Sequence, residues 1–202
     1  MESNSHCKLY FRYGVMNSGK SLFLCSSAYN FKERGIKFLI LKSTIDTRDA
    51  SDYIKSRALK SQFKCIPVDP ETNVFDLISE KGKDCRWILV DEAQFMQPEQ
   101  IDQLADVVDK LQINVICYGL RTDFRTELFP GSKRLFEIAD SFEELKSTCE
   151  CGRRASVNAR ISNDGSVMTD GEQVQCGAED LYLTLCRNCY KRAVNGELKF
   201  NI

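Results

Sequence analysis

Surplus charge of either sign is what this chain lacks first: 28 Lys and Arg face 29 Asp and Glu, a formal net charge of −1 over 202 residues. No global positive field exists to hold a nucleic-acid backbone or an anionic membrane, so neither is expected as a partner. Long apolar runs are missing too; "FLIL" and "WILV" are strand-sized and far short of a membrane span. The opening "MESNSHC" is polar and lacks the pattern of a secretory leader, so a soluble, cytoplasmic protein is expected. Histidine is reduced to His6, in that polar tail, where it is expected to be neither ligand nor catalyst. Internal repeats and low-complexity tracts are also lacking.

What is present suffices for a core. With 43% hydrophobic residues the chain fits one domain of ordinary size plus a small appendage. Residues 1–145 alternate between β-rich runs and helical patterns, the texture of an α/β domain with a mainly parallel sheet. "KLYFRY" reads as a first strand, followed by a helix over Lys20 to Arg34 with Leu22, Cys25 and Tyr29 on its apolar side and a stop at Gly35. "IKFLIL", "RWILVD" and "INVICYG" read as further strands, "VFDLISEKG" as a short helix, and Glu99 to Leu111 as an amphipathic one. The polar stretch Lys42 to Gln62 has no sustained period and is expected to be a long loop of the kind that covers a site.

Gly14, Gly19, Lys20 and Ser21 in "GVMNSGKS" satisfy the phosphate-loop pattern G-x-x-x-x-G-K-[ST], in its required setting between a strand and a helix. The glycines let the backbone curl so that N–H groups point inward at phosphate oxygens, and the helix N-terminus adds partial positive charge. Lys20 is then expected to reach the β- and γ-phosphates of a nucleotide, and the Ser21 hydroxyl to ligate Mg²⁺. The acidic partner is Asp91 in "RWILVDEAQF", at the carboxyl end of a buried strand. Glu92 follows it, which divides the labour: Asp91 for magnesium, Glu92 as base toward a substrate hydroxyl.

Of ten cysteines, Cys7, Cys25, Cys65, Cys85 and Cys117 lie singly in or beside apolar segments and are expected as small core residues. Cys149-x-Cys151 and Cys186-x-x-Cys189 form two tight pairs suited to tetrahedral Zn²⁺, with Gly152 placed to open the first turn. Four sulfur ligands leave no position for water or substrate, so this zinc is expected to staple a segment too poor in apolar residues to make its own core.

Together, "GVMNSGKS", "VDEAQF", "CYGLRTDF", "CECG" and "CRNCY" resemble, in order and over nearly the whole chain, the type II P-loop thymidine kinases, most of all their proteobacterial branch. The resemblance implies a P-loop NTPase-like sheet flanked by helices over residues 1–145 and a zinc-binding lobe over 146–202. It implies transfer of the ATP γ-phosphoryl group to the 5′-hydroxyl of thymidine, with Mg²⁺ and structural Zn²⁺, feedback by dTTP and a homotetramer. Glu92 matches the family's catalytic base. Gly14, Val15, Met16, Asn17, Ser18, Gly19, Lys20 and Ser21, with Asp91 and Gln94, match its ATP and metal contacts. Met16, Phe95, Leu120, Phe124, Phe129 and Tyr182 match the nucleoside pocket.

Residues Asn163 to Tyr182 correspond to the family's lasso, which grips the thymine largely through backbone groups. Two departures stand out: Cys176-Gly177-Ala178 replaces a common Ile-Gly-Gly, and Asn17 replaces an aromatic residue. Asp46 and Arg48 in "STIDTR" match a polar motif near the family's site. The rival reading from the same loop and doublet is a nucleic-acid-stimulated ATPase with a zinc knuckle. Beyond "CGRR" and "CRNCYKR", however, the chain lacks the basic stripe that reading needs. A second rival, a nucleotide-binding module without catalysis, leaves Glu92 without a purpose.

Overall fold

The computed structural model describes residues 6–44, 52–56, 59–173 and 181–200. Six strands form one sheet in the order β5-β2-β6-β7-β1-β8: β1 Leu9–Gly14, β2 Phe38–Ser43, β5 Ile66–Val68, β6 Trp87–Asp91, β7 Asn114–Leu120 and β8 Ser141–Leu145. Every neighbouring pair is parallel. Parallel neighbours need crossover connections, which run through helices everywhere except between β2 and β5, and the central strands are buried on both faces.

Alternation along each strand sorts the core into two layers. Leu9, Phe11, Ile88, Val90, Val115 and Cys117 face α2 (Val74–Lys81), α3 (Pro98–Leu111) and α4 (Pro130–Ile138). Leu89, Ile116 and Tyr118 face α1 (Lys20–Glu33) on the other side. Local chemistry sets the helix limits. Asn73 Oδ1 accepts the Asp76 N–H at 3.1 Å to cap α2, and Pro98 opens α3, where its missing N–H costs nothing.

The structure revises two expectations. In α1 the buried side is Leu24, Cys25 and Ala28, while Tyr29 is exposed and Leu22 only partly covered. Lys42 to Gln62 is not one long loop: Lys42 and Ser43 end β2, and β3 (Tyr53–Ser56) pairs antiparallel with β4 (Leu59–Lys64). That hairpin buries Ile54 against Leu24, Cys25 and Ala28, so tertiary contact supplies what the polar sequence does not advertise. The lone cysteines behave as small apolar residues: Cys25, Cys65 and Cys117 are buried, Cys7 and Cys85 half-buried.

After β8 come four short strands, β9 (Ser147–Thr148), β10 (Arg154–Ala155), β11 (Val157–Ile161) and β12 (Leu181–Leu185), then α5 (Arg187–Val194). β9 pairs with β10 and β11 with β12, both antiparallel. The small core of this C-terminal lobe includes three of its paired cysteines together with Ala155, Ala159, Ile161 and Leu185, and Val15 reaches into it from the phosphate loop.

Candidate active site

The phosphate loop leaves β1 at Gly14 and enters α1 at Lys20. Gly14 is required by space: a Cβ there would lie 2.3 Å from Ser18 Oγ and 2.8 Å from the Leu145 carbonyl. Gly19 takes φ +83° and Asn17 φ +56°, left-handed backbone that glycine and asparagine tolerate. Lys20 is buried and its Nζ donates to the Val15 carbonyl at 2.9 Å. Burial lowers its pKa, while Glu92 and Asp91 act in the opposite direction.

At the end of β6, Asp91 is 5% exposed, and its carboxyl is pushed up to about 7, by burial first and then by the charge of Glu92. An oxygen set of this kind, the Asp91 carboxylate and the Ser21 hydroxyl, suits a hard divalent cation, which would relieve the crowded negative charge. Glu92 adopts φ +53°, ψ +38°, a costly backbone for a non-glycine residue, of the sort retained at working sites. Its Oε2 accepts the Gln94 amide at 2.5 Å, and Gln94 Oε1 accepts the Leu120 N–H at 3.0 Å.

Beyond this bridge lies one cavity. The expected residues Met16, Phe95, Leu120, Phe124, Phe129 and Tyr182 all line it, with Phe95 and Phe129 edge to face at 5.5 Å. Four further lining residues escaped the reading of the sequence: Thr122, Asp123, Asn158 and Gln173. Thr122 and Asp123 sit inside the quoted "CYGLRTDF", and Gln173 within the lasso stretch, so position along the chain could have suggested them. Asn158 carries no such signal. It is buried, accepts the Met16 N–H at 2.7 Å and donates to the Thr122 carbonyl at 3.0 Å.

Gln173 Nε2 donates to Asp123 Oδ2 at 3.0 Å, which fastens the segment before residue 174 to the cavity wall. Asp46, Arg48 and Cys176-Gly177-Ala178 lie outside the described residues.

In the C-terminal lobe the four sulfurs of Cys149, Cys151, Cys186 and Cys189 lie within 4.8 Å of one another. That spacing fits tetrahedral zinc with Zn–S bonds of about 2.3 Å. Gly152 takes φ +82° and donates its N–H to the Cys149 carbonyl at 2.8 Å, turning the chain between the first pair. The Cys189 N–H bonds the Cys186 sulfur and holds its pKa down to about 7, toward the thiolate a metal requires.

The family described as "Thymidine kinase" matches residues 7–190. The chain belongs to the thymidine kinase family. A thymidine kinase of Haemophilus influenzae is 48% identical over 91% of this chain and 96% of its own. Thymidine kinases of Pasteurella multocida, 46% identical over 93% and 98%, and of Rhodopirellula baltica, 44% identical over 93% and 89%, are similar along nearly their whole lengths. The crystal structure of Pif1 helicase from Candida albicans superposes at a TM-score of 0.43 with 14% identity, over 71% of this chain and 36% of that one. That likeness carries no functional argument. Among the described residues, no helix is long and apolar enough to cross a membrane.

Proposed function

We propose that this chain transfers the γ-phosphoryl group of ATP to the 5′-hydroxyl of thymidine, yielding dTMP for pyrimidine deoxynucleoside salvage. The observation that carries the reading is the position of Glu92. Its charge acts on Lys20 of the phosphate loop, and its carboxylate is bonded to the side chain that also holds Leu120 of the cavity wall. A carboxylate that acts on the phosphate loop and is linked through Gln94 to the wall of an apolar, aromatic recess supports the role of base toward a sugar hydroxyl. A hydrolase would have no use for the recess.

In this reading the backbone N–H groups from Gly14 to Ser21 bind the phosphates, and Lys20 exchanges its bond with the Val15 carbonyl for a phosphate oxygen. Ser21 and Asp91 hold magnesium, which when bound neutralises phosphate charge. Met16, Phe95, Leu120, Phe124, Phe129 and Tyr182 enclose the nucleoside, and residues 163–182 close over the base. Glu92 accepts the 5′-hydroxyl proton as the oxygen attacks the γ-phosphorus and the bond to the ADP oxygen breaks. Charge spreads over the transferred group in a loose transition state, so the chain's task is mainly to position and neutralise.

The four-cysteine cluster holds structural zinc within a lobe spanning 146–202. The same reading extends to a cytoplasmic homotetramer inhibited by dTTP.

The deciding experiment is a transfer assay with γ-labelled ATP against the four deoxynucleosides, run on the native chain and on Glu92→Gln. Labelled dTMP is expected, with kcat in the variant reduced by about 10²- to 10⁴-fold and thymidine binding largely kept. ATP hydrolysis stimulated by DNA, without any labelled nucleoside, would instead favour the rival ATPase.

A further inference from the structure

Gln94 matches the family's nucleotide contacts in sequence, yet its surroundings leave its side chain no nucleotide to touch. It is fully buried, and both ends of its amide are engaged. The Leu120 N–H can only donate, so the end of the amide that faces it must be the oxygen. That choice turns the NH₂ group toward Glu92, and the donor's direction is set by the backbone of β7 without regard to the tautomer or rotamer of any other group.

A second, independent feature serves the same bridge. Gly119 lies beside Leu120 on β7, and a Cβ there would come within 2.9 Å of Gln94 Oε1 and 3.1 Å of the Gln94 backbone N. The absence of a side chain at 119 is what admits the amide between the ends of β6 and β7.

We infer that Gln94 is a positioning residue for Glu92: it ties the carboxylate to the backbone of Leu120, fixes Oε2 as the anchored oxygen and presents Oε1 to the substrate hydroxyl. The inference rests on the proposed role of Glu92 as the base. It gives Glu92 a stiff mount in spite of its unfavourable left-handed backbone. Because the same amide grips the wall of the nucleoside cavity, the base and the pocket move as one unit.

The test is a double-mutant cycle on the full-length protein with Gln94→Met, which keeps length and removes both polar ends, and Glu92→Gln. Gln94→Met is expected to lower kcat about 10- to 100-fold, the scale of a misplaced catalytic group, with KM for ATP and for thymidine changed by less than about threefold. In the Glu92→Gln background the same change should cost less than about twofold, because there is no base left to position. Gly119→Ala leaves the amide chemistry intact and displaces it, so it should reproduce the kcat-selective loss if Gln94→Met folds poorly.

A Gln94→Met enzyme with normal kcat and an ATP KM raised about tenfold would mark a nucleotide ligand and overturn the inference. So would a penalty that persists undiminished without the Glu92 carboxylate. Wild-type turnover in Glu92→Gln alone would remove the base assignment itself, and the inference with it, in an arm of the cycle read separately.

Discussion

Asn158 Oδ1 accepts the backbone N–H of Met16 at 2.7 Å, joining the C-terminal lobe to the phosphate loop across 142 residues of sequence. The same side chain donates to the Thr122 carbonyl at 3.0 Å, and Val15 packs among the apolar residues around the clustered cysteines. Phosphate loop, cavity and C-terminal lobe thus share one buried amide.

Replacing Asn158 by Ala should strand the buried Thr122 carbonyl and the half-buried Met16 N–H at once. A loss of about 2 to 4 kcal/mol in stability is expected, since each unsatisfied buried polar group costs about 1–3. KM should rise for ATP and thymidine together, because Met16 belongs to the phosphate loop and Thr122 lines the cavity. Denaturant unfolding beside two-substrate kinetics reads both; a change in only one KM would contradict the shared role.

Zinc content should be one ion per chain by elemental analysis. Cys186→Ser should remove it, speed hydrogen exchange over residues 146–200 and weaken ATP binding by about tenfold or more, since Val15 packs into that lobe and the lobe's Asn158 holds Met16. Metal loss with unchanged exchange protection would mean that the lobe stands without its staple.

Asp91→Asn should abolish transfer and yet stabilise the nucleotide-free protein. The Asp91 carboxyl is raised from 3.8 to about 7, so the folded state holds a proton that the unfolded state releases between those values. Wild-type stability therefore declines as pH rises from about 4 to about 7, whereas that of the asparagine variant does not follow this term. The gain by pH 7 is at most about 4 kcal/mol, a net figure that already includes the attraction of Lys20 and Lys42. Melting curves of the two proteins across that window should diverge toward neutral pH; convergence there would count against the burial argument.

Gln173→Ala should raise the thymidine KM about three- to tenfold and leave the ATP KM alone, because it cuts the bond to Asp123 on the cavity wall, away from the phosphate loop. Asp123 itself keeps its bonds from the Arg125 and Glu127 N–H groups, so the wall of the cavity should survive. An equal rise in both constants would point to a general loss of structure.

The features that act over a few residues were written in the sequence. "GVMNSGKS", the Asp91-Glu92 doublet and the two cysteine pairs each place their atoms through neighbouring backbone, so spacing alone reveals them. Strands buried on both faces announce themselves as apolar runs for the same reason. Other elements are quiet: β8 reads "SFEEL" because it is an edge strand, and β5 carries Pro67, which an edge tolerates. The β3–β4 hairpin looks polar, yet Ile54 and Phe63 join the cluster that includes Leu24, Cys25 and Ala28 of α1.

What only the tertiary structure decided is which distant groups meet. Strand order places the end of β6 beside the end of β7, and only that adjacency lets Gln94 bond Glu92 and Leu120 together. The bridge from Asn158 to Met16 and Thr122 likewise requires the C-terminal lobe to fold back over the phosphate loop. A buried polar side chain is fixed by partners far away in the chain, and no local period or spacing records who they are.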